Sequence, residues 1–504
     1  NNYLIINNIM VDIEDMAGNK FNPRKVTNLL FRQRNTEKER ISIKLFIKDL
    51  IKVLDTKFIF NTFTKENWKS IITELKRTYS IAPSVVIMNY YYRQLLNNNE
   101  ININNIFEKF CKAKLNRADS GICQVTVVTS PQPNGNNFSC ESDCYYCPNE
   151  PAHEGNNYQA QPRSYVFGGP STRRANANNF EATLQMWDRL TTLLLLGHDI
   201  DKLEASILGG TWGSYPDDYR ETFIRDMYYA ANTFYDDSDN RREQYSLEQE
   251  IIINSTAAAK IIGLTIETRP DHVTYDECQL FRKFNVTRVQ IGAQHTDKKV
   301  LSKVNRGCYL DDTIRAIFNL LNMGLKVDTH WMFDLPTSTS EMDIKMITEV
   351  FSNPDIRFDQ AKFYPFASVP WTKTKEWEDK GIITHYSQEE LVEVLVNAIS
   401  LVPYWVRLVR VIRDIPSNYI SGGNHKTNLR QDIDKILDER GIKPKCIRYR
   451  EVKNNKIAID LMTKAQVFVE QYKASGGTSY FVSYESPNRE YIYGFGRLYL
   501  SKQA

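Results

Sequence analysis

Apolar positions recur along this chain with two periods, and the change between them marks its organisation. In residues 1–115 the spacing is helical, as in Ile43, Leu45, Phe46, Leu50 and Ile51 and again in Trp68, Ile71, Ile72 and Leu75, with an Asn-rich break at 97–105. From Gly121 onward short apolar runs alternate with longer amphipathic stretches. The runs at 123–128, 202–208, 261–266, 288–291, 325–328 and 360–363 predict strands, and 180–196, 218–233, 275–284, 297–304, 311–323 and 341–351 predict helices. Such alternation builds parallel βα units, and six of them make a partial or complete (β/α) barrel with its chemistry at the carboxyl ends of the strands. From 464 the pattern becomes that of β-strands, with runs at 480–484 and 491–500 separated by the turn-like Ser486-Pro487-Asn488. The division expected is therefore a basic helical module (1–115), an α/β barrel (116–405), a basic connector (406–463) and a β tail (464–504).

At 504 residues the chain is expected to hold two or three domains. It has no apolar run near 18 residues and no charged-then-apolar start, so neither a membrane span nor a signal peptide is expected. It opens on Asn rather than Met and stops just after a strand-like run, so either end is expected to be incomplete. The net charge of +3 decides little, but residues 24–48 carry eight Lys or Arg against Glu37 and Glu39. Such a run is either a solvated helix face or a surface for phosphates. Arg32, Arg34 and Lys38 are its candidate RNA contacts.

Three of the eight cysteines, Cys140, Cys144 and Cys147, stand at C-x3-C-x2-C directly after the first predicted strand. Three thiolates hold three irons of a four-iron cluster and leave the fourth iron open to a small molecule. A structural zinc would need a fourth ligand, and the nearby Cys123 and His153 lie at no ordinary spacing. The sparse cysteines and an oxygen-sensitive cluster point to a reducing cytoplasm rather than to disulfides.

The cysteine loop is followed in order by Gly209-Gly210-Thr211, Ile266-Glu267-Thr268-Arg269-Pro270-Asp271, Ile291-Gly292-Ala293-Gln294 and Asp334-Leu335-Pro336. Further stretches are Asn305-Arg306-Gly307, Lys362-Phe363-Tyr364-Pro365 and Arg410-Val411-Ile412-Arg413-Asp414-Ile415-Pro416. As a set, across about residues 75–500, this series resembles the catalytic subunit of Elongator, a radical S-adenosylmethionine enzyme joined to an acetyltransferase domain. The resemblance implies a radical-SAM (β/α)6-type partial TIM barrel, with the tail as the start of a GNAT-type acetyltransferase domain. Among these residues the glycine-containing helix start that such a domain uses for acetyl-CoA is not found, so binding of that co-substrate is not argued from them.

What the resemblance further implies is a [4Fe-4S] cluster on Cys140, Cys144 and Cys147, with S-adenosylmethionine and acetyl-CoA as cofactor and co-substrate. The expected activity is carboxymethylation at C5 of the tRNA wobble uridine, with the anticodon region, an electron donor and scaffold subunits as partners. Gly209, Gly210, Thr211 and Gln294 are expected to bind the cofactor. A Gly-Gly after a strand is otherwise only a tight turn. Glu267, Arg269 and Lys362 are expected to act in catalysis, although the first two could form a mere exposed ion pair. Arg410, Arg413, Lys426 and Arg430 of the connector are expected to meet RNA phosphates. His295, His330 and His425 read as structural or functional alike, and Tyr145 and Tyr146 as base-stacking or loop-packing residues. Two rival readings are a protein lysine acetyltransferase and a non-catalytic tRNA-binding iron–sulfur protein.

Overall fold

The first helices begin where the sequence caps them. The computed structural model describes residues 36–502 apart from 59, 112–119, 139, 237–240, 414, 427 and 454. Arg32 and Arg34 lie outside the described residues. Helix α1 (Glu37–Lys57) starts on a capping box in which Thr36 accepts from the Glu39 amide and Glu39 accepts from Thr36. Helices α2 (Lys65–Tyr79) and α3 (Val85–Asn97) open on Thr64 and Ser84 caps, and α4 (Asn105–Cys111) follows. Their apolar stripes meet in one core containing Phe46, Ile47, Leu50, Leu54, Tyr92, Leu95 and Phe107, together with Leu195 from a later helix. Burying each such side chain stabilises by roughly 1.5–3 kcal/mol, which is what holds helices of this length.

The chain forms two compact units that interleave in sequence. One takes residues up to 127 with 181–205 and 222–262, and the other takes 128–180, 206–221 and 263 onward.

Seven strands make one sheet in sequential order: β1 (Cys123–Val128), β2 (Lys202–Leu208), β3 (Lys260–Thr268), β4 (Arg288–Gln294), β5 (Lys326–Phe333), β6 (Gln360–Pro365) and β7 (Arg407–Arg410). Every pairing from β3 to β7 is parallel. All six predicted strands are present, and the predicted helices fall within two residues of Ala182–Leu195, Asp217–Asn232, Tyr275–Lys283, Lys298–Lys303, Leu310–Asn322 and Ser340–Ser352. The seventh strand lies inside the stretch expected to be connector.

Alternation along these strands gives the sheet two unlike faces. Val289, Ile291, Val327, Trp331, Ala361, Phe363 and Leu408 are wholly buried on one. The other is polar. Register places Glu267 beside Gln290, Gln290 beside Asp328 and Asp328 beside Gln360, and, one step along, His330 beside Lys362 and Lys362 beside Arg410. Strands that only filled a core would be apolar on both faces. A buried polar face marks a site.

The tail is a three-stranded antiparallel sheet of β8 (Gln466–Ala474), β9 (Gly477–Glu485) and β10 (Ile492–Leu500), one strand more than the two runs predicted. The expected turn at Ser486 is present, closed by the Ser486 amide on the Tyr491 carbonyl. One face packs through Phe481 and Ile492 on Ile447, with Tyr472 stacked 4.3 Å from Trp405. Arg450 and Glu485 form a buried ion pair beneath it. Among the described residues no helix is long and apolar enough to cross a membrane.

Candidate active site

The cysteine loop is held by its neighbours in the chain and in space. Cys140 Sγ lies 3.1 Å from the Thr211 hydroxyl, just beyond Gly209 and Gly210 at the end of β2. Those glycines are demanded by close approach. A Cβ on Gly209 (φ +154°) would sit 1.6 Å from Thr129 Oγ1, and one on Gly210 (φ +93°) would sit 3.0 Å from the Arg163 carbonyl. Arg163 in turn pairs with Asp143 at 2.5 Å.

Cys144 is buried with Tyr146, Val300, Val304, Met332, Leu335 and Phe366. Its sulfur accepts from Arg269 Nη1 at 3.4 Å and from Arg306 Nη1 at 3.5 Å. Burial alone would raise this thiol, but the charges of Arg306 and Arg269 outweigh it and hold the thiol below its ordinary pKa. Cys147 is pushed up, first by burial and then by Cys144, against the pull of Arg163 and Arg413. Tyr145 meets Trp377 edge-on at 5.3 Å while Tyr146 is buried, so both pack the loop.

Among the described residues no three His, Cys, Asp or Glu side chains converge to hold one metal ion. The donor set fits a cluster by its chemistry: three thiols on one loop, the middle one biased toward the thiolate that iron requires.

Above the polar face of the sheet, Glu267 accepts from the Tyr165 hydroxyl at 2.5 Å and lies 3.6 Å from His330 Nδ1. Lys362 Nζ donates to Gln290 Oε1 at 2.5 Å. Both Asp328 oxygens, His330 Nε2 and Gln294 Oε1 are buried without a hydrogen-bond partner. Unmet polar atoms of this kind are costly in a protein that binds nothing there. His330 is held neutral, its pKa driven well down by burial and then by Lys362, Arg413, Arg410 and Arg306. Gln294 has φ +72° at a register shift at the end of β4, a strained backbone for a residue with a side chain.

Several expected contacts are placed elsewhere. The Arg269 guanidinium binds Asp271 in two bonds (2.9 and 2.7 Å), the Arg306 carbonyl and Cys144. Arg413 is bound to Ser164 beside the cysteine loop, at 2.7 Å to the hydroxyl, and Arg410 ends β7. Arg430 pairs with Asp434 and lies over Tyr449, and Lys426 pairs with Asp432 at 3.2 Å. Lys38 is exposed on α1. His295 is structural, buried 3.1 Å from Asp343. Reasoning from sequence missed Tyr165, Arg163, Gln290 and Asp328. Gln290 and Asp328 carried a signal, as polar residues alternating with apolar ones in strands expected to be buried.

A parallel sheet with a three-cysteine loop beyond its first strand defines a radical S-adenosylmethionine protein, and a sequence profile of the Radical SAM superfamily matches residues 138–341. A Radical SAM C-terminal domain matches 358–439. The chain is 36% identical over 387 residues to the tRNA uridine(34) acetyltransferase of Methanocaldococcus infernus, covering 76% of this chain and 69% of that protein. It is 32% identical over 388 residues to Elongator complex protein 3 of Homo sapiens, covering 77% and 69%. The archaeal Elp3 of Methanocaldococcus infernus, solved with an N-terminal deletion, superposes with a TM-score of 0.62 at 32% identity over 76% of this chain and 78% of that one. The chain belongs to the family of tRNA uridine(34) acetyltransferases and Elongator complex protein 3.

Proposed function

We propose that this chain modifies the wobble uridine of tRNA by radical S-adenosylmethionine chemistry, using acetyl-CoA to form 5-carboxymethyluridine. The observation that carries the reading is the cysteine loop, its middle thiol between two buried guanidiniums, beside a parallel sheet whose inner face is polar and unsatisfied. Cys140, Cys144 and Cys147 hold the [4Fe-4S] cluster. With S-adenosylmethionine bound, that cluster supplies one-electron cleavage to a 5′-deoxyadenosyl radical.

The remaining work falls to side chains. Gly209 and Gly210 expose backbone to the methionine end of the cofactor, with Thr211 and Gln294 as further contacts. Glu267, steadied by Tyr165, accepts from ribose hydroxyls. Lys362 places a charge at the centre of the polar face, where it orients a substrate oxygen. The neutral His330 offers its buried Nε2 to a ligand hydrogen bond rather than to a proton. On the RNA side, single-stranded loop bases are splayed out for recognition while basic residues take the phosphates. Residues 1–115 with Arg32, Arg34 and Lys38 provide them, with Arg410 of the segment 406–463, whereas Arg413, Lys426 and Arg430 are engaged by Ser164, Asp432 and Asp434. The tail from 464 opens the acetyltransferase domain. The site of action is the cytoplasm, with an electron donor and Elongator-like scaffold subunits as partners.

Anaerobic reconstitution with iron and sulfide, followed by S-adenosylmethionine, acetyl-CoA, tRNA and dithionite, tests this directly. Both 5′-deoxyadenosine and a modified wobble uridine are expected. No 5′-deoxyadenosine from fully loaded protein overturns the radical chemistry, and 5′-deoxyadenosine beside an unchanged uridine, in protein shown to bind acetyl-CoA and tRNA, overturns the substrate.

A further inference from the structure

Two cations converge on one sulfur. Arg306 and Arg269, 5% and 4% exposed, each point a guanidinium nitrogen at Cys144 Sγ, at 3.5 and 3.4 Å. Neither can swing aside. Arg306 Nη2 donates to the Gly292 carbonyl at 2.5 Å, and a Cβ on Gly292 would stand 3.2 Å from that nitrogen and 2.5 Å from Gln294 Nε2. Arg269 is locked by Asp271 and by the Arg306 carbonyl at 2.9 Å.

The backbone repeats the grip. The Tyr145 amide donates to the Val304 carbonyl at 2.9 Å and Asn305 Nδ2 to the Asp143 carbonyl at 2.8 Å. Segment 304–306 therefore binds segment 143–145 through three consecutive residues on each side. The charges do not balance: two guanidiniums share one carboxylate, Asp271, and the excess positive charge faces the sulfur. Cys140, by contrast, meets the neutral Thr211 hydroxyl.

We propose that Arg306, seconded by Arg269, is a positioning residue that sets the reduction potential of the cluster through Cys144. One-electron reduction moves an electron from a low-potential donor onto the cluster, whose net charge falls by one while the donor is oxidised. Buried cations beside a ligand sulfur favour the more negative state, because in a poorly polarisable interior their field is weakly screened. Hydrogen bonds to the sulfur act in the same direction.

The inference rests on Cys144 being a cluster ligand, and the test separates the two. The full chain is reconstituted anaerobically as wild type, R306K, R306Q, D271N and C144S, and titrated with dithionite and mediators while the reduced cluster is followed by electron paramagnetic resonance. R306Q is expected to shift the equilibrium at least tenfold toward the oxidised cluster, about 59 mV for one electron. R306K shifts it less, since the charge stays. D271N shifts it the other way by exposing Arg269. Unmoved potentials in R306Q and D271N at full iron content overturn the proposal. If R306Q takes up no iron, D271N decides alone: a raised potential supports the proposal and an unchanged one overturns it. A C144S protein that keeps its iron and its signal overturns the ligand assignment instead.

Discussion

Asp328 is a side chain whose surroundings oppose its charge. Burial pushes its carboxyl up to about 6, with Glu267 and Asp359 adding to the rise against the pull of Lys362 and Arg288. An acid whose pKa is raised on folding keeps its proton longer in the native state. Stability therefore falls as pH rises from the unfolded value near 4 to about 6, and the penalty is fully present above it. Asp328→Asn removes that penalty, so the variant is expected to melt higher than wild type at pH 7, by the equivalent of about 3 kcal/mol. The gain should shrink by pH 4, and an equal difference at both pH values would show that Asp328 is not the group responsible. At the cysteines the expectation is loss: Ser at 140, 144 or 147 should abolish iron and colour. Iron analysis of Cys140→Ser is the sharpest check, because that thiol meets the neutral Thr211 hydroxyl where Cys144 meets two cations.

Elements built on regular periods were legible in the sequence, and those defined by partners were not. Strands β4 to β6 announced themselves as apolar runs, and their interleaved polar residues already encoded the inner face. Strand β7 did not, because four residues with Arg at both ends carry too few apolar positions to read as a strand and become one only by pairing with β6. The three cysteines and the Gly-Gly could be found by spacing. The guanidinium pair on Cys144 could not, since Arg269 and Arg306 are 37 residues apart and meet only in space.

The same limit applies to the connector, whose charges read as an RNA surface. Arg407, Arg430 and Lys443 pair with Glu451, Asp434 and Glu490, and Arg450 is buried on Glu485. Lys38, on the exposed face of α1, is the better candidate for a phosphate. Lys38→Glu should weaken binding of all tRNAs alike and lower the slope of log affinity against log salt by about 1. Arg450→Glu should instead cost about 3–5 kcal/mol of stability by burying a second carboxylate against Glu485, which Arg489 alone then has to offset. If the melting temperature is unmoved, the buried pair is not structural.

At the scale of the whole molecule, residues up to 127 share one compact unit with 181–205 and 222–262. The helix Ala182–Leu195 packs on α3, and Leu195 belongs to the core of Phe46, Leu50, Tyr92 and Phe107. A fragment beginning at residue 116 should therefore bind a hydrophobic dye and lose a cooperative transition. If it melts as sharply as the full chain, residues 181–205 and 222–262 fold without the first helices.

Interleaving also orders events on the ribosome. The first unit cannot close until residue 262 has left the exit tunnel, although its opening helices emerge long before. Translation of the 135 residues from 128 to 262 takes roughly 7–27 s at 5–20 residues per second. Leu195 arrives only about half-way through that interval and the last segment of the unit at its end, so until then the apolar stripes of the nascent helices are open to chaperones. The half of the chain that starts first is obliged to finish while the other is already under way.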